Sequence, residues 1–367
     1  MPSFLPGLEL SRRFYTEAVR PLLDEALPGI PHSAARLGSG SEVLGYDTPR
    51  SADHEWGPRL QLFLRPQDAD RHGPPLTALL SHRLPKTFLG HPTHFALTGE
   101  DPGTDIRVMA RTDGPVHHRV DVSDPGTWFT AHLGFDPTGT VTTTDWLATP
   151  TQCLAEITAG AVFHDGLGRL APARTALRWY PHDVWLYVLA CQWKRISQEE
   201  AFVGRCGEVG DDLGSAVVAA RLVRDLMRLS LLMNRRYPPY SKWLGTAFAE
   251  TPQGRDLTPT LAAALTAGDW HTRERHLARA CEALATHHNT LALTPPLDPT
   301  TRPYHRRPFR VLHAERFTAA LRARITDPDL RALPDTGAID QWVDSTDALN
   351  DVQNRKKPRP GEVRPGR

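Results

Sequence analysis

Two short stretches carry residue types that can act together: Gly40-Ser41 and, after a gap of 11 residues, Asp53-His54-Glu55. A glycine lets the backbone approach a ligand closely, and a serine hydroxyl beside exposed N–H groups suits phosphate oxygens. Asp53 and Glu55 stand two apart at the start of what reads as an extended segment. Alternation then predicts both carboxylates on one face of a strand and His54 on the other. Adjacent carboxylates repel unless a cation lies between them. Magnesium is the natural choice, because it takes one or two carboxylates plus substrate phosphates rather than an all-protein cage. Trp56-Gly57-Pro58 interrupts the pattern, and since proline cannot donate to a sheet ladder the strand is expected to be bulged or edge-like there.

Positioning such groups requires a sheet. Apolar residues from Leu8 to Leu27 recur at helical spacing and predict an amphipathic opening helix, closed by Pro28, Gly29 and Pro31. Short apolar segments at 41–46, 59–64, 105–110 and 118–122 read as strands, with helical material at 75–82 and 125–133 between them. The segment GAVFHDGLGRL, with Asp165-Gly166 as a turn, reads as a connecting hairpin. From Asp183 helical periodicity dominates, with Val218, Leu222, Leu226, Leu229 and Met233 on one stripe and Arg221, Arg224 and Arg228 opposite. Further helices are expected over 258–267, 270–287 and 314–325. The fold class is therefore α+β. An α/β domain over 1–150, a mixed sheet flanked by helices, leads through a connecting hairpin segment at 151–178 to a helical bundle over 179–330. The tail, 331–367, is expected to be largely disordered.

Bulk properties narrow the function classes. The 43 Lys and Arg against 42 Asp and Glu leave a net charge of +1, which excludes an extended nucleic-acid footprint or an anionic membrane as a global partner. Any polyanion must be held locally. Cys153, Cys191, Cys206 and Cys281 lie far apart and form no C-x-x-C pair, so they are expected to be reduced thiols of a cytoplasmic protein. The N-terminus lacks a secretory pattern, and no window approaches the ~18 unbroken apolar residues of a membrane span.

The order Gly-Ser, a gap of about this length, then Asp-x-Glu resembles the signature of the DNA polymerase β-like nucleotidyltransferases, and the arrangement is similar to the kanamycin nucleotidyltransferase type, whose second domain is also helical. YPHDVWLYVLACQW, FVGRCGEVGDDLGS and YSKWLGTAF further resemble the uncharacterised family called domain of unknown function 4037, over most of residues 5 to 325. The resemblance implies transfer of a nucleoside monophosphate from a nucleoside triphosphate, ATP being expected, to a small-molecule hydroxyl with release of pyrophosphate. It also implies two magnesium ions bridged by Asp53 and Glu55. A third acid flanked by apolar residues falls on Asp121, with Asp105 and Asp124 as alternatives. A basic side chain from the helical domain falls on Lys242, in a turn between helices, with Arg205 and Arg59 behind it. Glu208, Asp211 and Asp212 could face an acceptor, although helix capping explains the two aspartates equally. Two other outcomes stay open: a nucleotide-binding regulatory protein that performs no transfer, and transfer to a protein or tRNA.

Overall fold

The computed structural model describes residues 4–98 and 106–352. The chain divides into two compact units, residues 1–141 with 153–178, and residues 142–152 with 179–367.

The first unit is built on a four-stranded mixed sheet in the order Arg119–Ser123, Arg59–Leu64, His32–Arg36, Ala161–Asp165. The first two strands run parallel, with Arg59 beside Arg119 and Gln61 beside Asp121. The other pairings are antiparallel. Alternation sends Leu60, Leu62 and Val120 to one face, where they are buried against Leu10, Phe14, Val19 and Leu23 of the opening helix and Leu76 and Leu80 of the Pro66–Arg83 helix. The opening helix is continuous from Gly7 to Ala26 but passes through a π-turn at Tyr15–Val19. The opposite face carries Arg59, Gln61, Phe63, Arg119 and Asp121. Phe63 packs edge-on against Trp128 of the Pro125–Leu133 helix, whose N-cap is Asp124.

Three expectations for this unit are corrected. Ser41–Leu44 is a short helix, not a strand, since Gly40 and Gly45 both take positive φ and punctuate a single turn. The strand expected to contain Asp53 and Glu55 begins only at Arg59, immediately after Pro58; Asp53 ends a 3₁₀ turn, Pro49–Asp53. The 151–178 segment is not a hairpin. Its Thr151–Thr158 helix leads to Ala161–Asp165, which pairs with His32–Arg36 at the sheet edge, and Asp165 then accepts the N–H groups of Arg169 and Ala171 to start the Leu170–Ala176 helix.

The second unit is mainly helical, led by His182–Glu199, Asp212–Met233, Pro252–Thr266 and Trp270–Thr290, with a hairpin of Arg302–Tyr304 and Arg307–Val311 added. Trp193, Leu226, Leu229, Phe248, Leu284 and Phe317 are buried in it. Asp211 caps the Asp212–Met233 helix by accepting from Gly214 N–H. Residues 331–352 are not the unstructured stretch expected of them. Arg228 donates to the Asp340 carbonyl at 2.5 Å, Arg224 holds the Asp344 carboxylate at 2.9 Å, Arg195 donates to the Gln341 carbonyl, and Gln341 donates to Val188 at 3.0 Å. Residues 353–367 lie outside the described part. Among the described residues no helix is long and apolar enough to cross a membrane.

Candidate functional site

The Gly40-Ser41 turn is held from beneath by a buried ion cluster. Arg36, at the end of its strand, donates Nε to Glu42 Oε1 at 2.9 Å; Arg59 donates Nε and Nη2 to the same oxygen at 3.0 and 2.7 Å. Both guanidiniums also reach the Ser39 carbonyl, and Gln61 holds the Leu37 backbone through both its amide atoms, at 3.0 and 3.1 Å. The carbonyls of Leu37 and Ser39 are thus turned into the protein. Arg36 and Glu42 are 3% and 2% exposed. Burial and the neighbouring Arg59 charge pull the Arg36 guanidinium down to about 10, against the opposing pull of Glu42. Burial by itself would raise Glu42, but Arg36 and Arg59 together outweigh it and hold the carboxyl below its ordinary range. The carboxylate is therefore ionised, and its Oε2 is buried without a hydrogen-bond partner among the described residues.

Gly40 is indispensable to this geometry. A Cβ there would stand 2.5 Å from Glu42 Oε2, 2.6 Å from Arg36 Nη2 and 2.7 Å from Arg59 Nη2, and its φ of 148° is one that side-chain-bearing residues avoid. Gly40→Ala should lower stability by about 1–3 kcal/mol, the usual range for a strained backbone, before any displacement of the ion cluster is added. Urea unfolding monitored by tryptophan fluorescence measures this, and an unchanged midpoint would show that the turn relaxes freely.

The three acids occupy very different surroundings. Asp53 is exposed and pairs with His54 at 2.8 Å. His54 therefore does not point to the far side of a strand. Asp121 is exposed on the strand, in register with Gln61. Partial desolvation raises its carboxyl above the ordinary aspartate value, while the charges of His132 and Arg119 oppose the rise. Glu55 is committed. Its backbone takes a φ of 45°, its N–H donates to Arg107 O, its Oε1 accepts from Arg107 N–H, and its Oε2 pairs with Arg119 and lies 3.6 Å from Arg59.

These surroundings set Glu55 apart from Asp53. Glu55 and Asp53 do not share a strand face, because the chain turns sharply between them and Pro58. Among the described residues no group of three His, Cys, Asp or Glu side chains is arranged to hold a metal ion. The Glu55 carboxylate is taken up by the Arg107 N–H and by Arg119, whereas the Asp53 carboxylate is exposed beside His54. Arg59 is largely buried, and its Nε and Nη2, both on Glu42, support the turn. Asp124 caps the helix, and Asp105 lies outside the described residues.

Lys242 and Arg205 belong to the second unit. Lys242 sits in the first turn of the Ser241–Ala249 helix rather than between helices, exposed, with its Nζ 5.1 Å from the Trp243 ring; Arg205 is exposed beside Phe202. Glu208 pairs with Arg307. Sequence reading missed Arg36, Glu42, Gln61 and Arg119. Only Glu42 carried a signal, as an acid placed directly after a turn suited to anions, which requires neutralising cations nearby.

The domain of unknown function (DUF4037) matches residues 146–244. That span covers the Ala161–Asp165 edge strand and the helices of the second unit up to Leu244, and leaves the Gly40–Asp121 region outside it. No curated protein matches. Among solved structures, a nucleotidyltransferase-like protein from Exiguobacterium sibiricum is similar at 12% identity, covering 84% of this chain and 88% of that chain with a TM-score of 0.30.

Proposed function

We propose that the first unit binds a nucleoside triphosphate, ATP being the expected one, over the Ser39–Ser41 turn and transfers its nucleoside monophosphate to a small-molecule hydroxyl, releasing pyrophosphate. The observation that carries this reading is the pairing of a turn that only glycine can make, stiffened by Arg36, Glu42 and Arg59, with an exposed aspartate, Asp121, in register with Gln61, whose amide holds Leu37 beside that turn. The Ser41 hydroxyl and the turn backbone hold phosphate oxygens. Asp121 orients the acceptor, and its raised proton affinity suits a carboxylate oxygen that takes the hydroxyl proton as the bond to the α-phosphorus forms. Magnesium held by Asp53 and Asp121 would supply charge neutralisation on the triphosphate. The site is small and local, in keeping with a net charge of +1.

Offering the four nucleoside triphosphates with magnesium should raise the melting temperature for at least one of them, by about 3–6 °C at concentrations near 100 Kd. No shift with any of the four would contradict binding. Specific support for the second reading, a nucleotide-binding protein without turnover, comes from Glu55, whose carboxylate is already engaged by arginine. Thermal shift without pyrophosphate release from any hydroxyl acceptor would favour it.

A further inference from the structure

We propose that Arg119 and Arg59 are the anion-binding pair of this site, and that the Glu55 carboxylate is their resident counter-ion, displaced when a phosphate group of a polyphosphate arrives. The proposal rests on the nucleotide-binding reading and adds to it which groups take the phosphate and what they leave. Glu55 sits in the left-handed region, where a side-chain-bearing residue is strained by about 1–2 kcal/mol. It is kept there by its N–H on Arg107 O and by Arg107 N–H on Oε1, two bonds to backbone atoms that do not involve the guanidiniums of Arg119 and Arg59. The remaining oxygen, Oε2, is the one that meets Arg119 and stands 3.6 Å from Arg59 Nη1.

Arg59 has its Nε and Nη2 occupied by Glu42, so Nη1 is the part of it turned toward Glu55. Arg119 and Glu55 side chains are 35% and 31% exposed, so a ligand reaches both. An ion pair this exposed contributes little to stability, and a phosphate offers guanidiniums a better partner, with more charge and two oxygens in the spacing of the fork. Arg119 and Asp121 are two apart on one strand and share its face, which places the phosphate beside the aspartate assigned to the acceptor.

A counter-ion and a metal ligand behave oppositely when removed. Tripolyphosphate titrated calorimetrically in EDTA into the full chain, as wild type, Glu55→Gln, Arg119→Ala and the double variant, separates them. The amide of Glu55→Gln keeps an oxygen for Arg107 N–H, and Glu55→Ala, checked by circular dichroism, serves as the second variant. Metal-free tripolyphosphate should bind about tenfold more tightly to Glu55→Gln and about tenfold more weakly to Arg119→Ala, with no gain from glutamine in the double variant. Tripolyphosphate binding that is unchanged or weakened in both Glu55 variants would overturn the counter-ion role while leaving nucleotide binding intact. Failure of wild type and variants alike to bind tripolyphosphate or magnesium-ATP would overturn the nucleotide-binding reading and this inference with it.

Discussion

Glu42→Ala should lower the unfolding free energy by about 3–5 kcal/mol, the range for removing one partner of a buried ion pair. The reason is specific to this site. Arg36, at 3% exposure, would face Arg59 with no anion between them, and the two guanidiniums would share only the uncharged Ser39 carbonyl. The pH dependence follows from the direction of the shift. Since the folded Glu42 carboxyl lies below its ordinary value, its contribution is fully present above the unfolded pKa and is lost as pH falls through the lower folded one. Urea unfolding of wild type and variant at neutral and acidic pH checks both points, with the gap between them narrowing on acidification. Equal midpoints at neutral pH would mean that the cluster does not support the turn.

Asp121→Asn should reduce pyrophosphate release roughly a thousandfold, corresponding to the several kcal/mol of charge stabilisation that a metal ligand and proton acceptor carry. Stability should change little, because Asp121 is exposed and its carboxylate makes no hydrogen bond among the described residues. Steady-state rates, with binding measured separately, test this. A variant that retains full turnover would remove Asp121 from the reaction.

How far such predictions could have been made without coordinates depends on the range of the interactions involved. The Arg59–Leu64 strand and the Pro125–Leu133 helix were legible because alternation and capping are local signals. The role of Ala161–Asp165 was not, since its partner strand lies at His32–Arg36 and nothing in a hairpin-like turn announces a pairing so distant in sequence. The same holds within the site. Asp53 and Glu55 were visible as residue types, but their period-two geometry failed because Pro58 delays the strand and Glu55 adopts a positive φ. Glu55 meets Arg119 across 64 positions and Arg59 meets Glu42 across 17, so the neutralising partners could not be read from spacing. Asp121 was reached through apolar flanks alone, and the structure adds its register with Gln61 and its side-by-side placement with Arg119 on the strand.

The central claim is transfer at the α-phosphorus, and labelled nucleotide tests it most directly. The full chain would be incubated with magnesium and each nucleoside triphosphate carrying label at either the α or the γ position, with a pool of hydroxylated small molecules as acceptors. The account predicts α-label in a new small product, γ-label in pyrophosphate, and loss of both signals in Asp121→Asn. Release of γ-label as orthophosphate, or no α-label transferred from any of the four nucleotides, would contradict it.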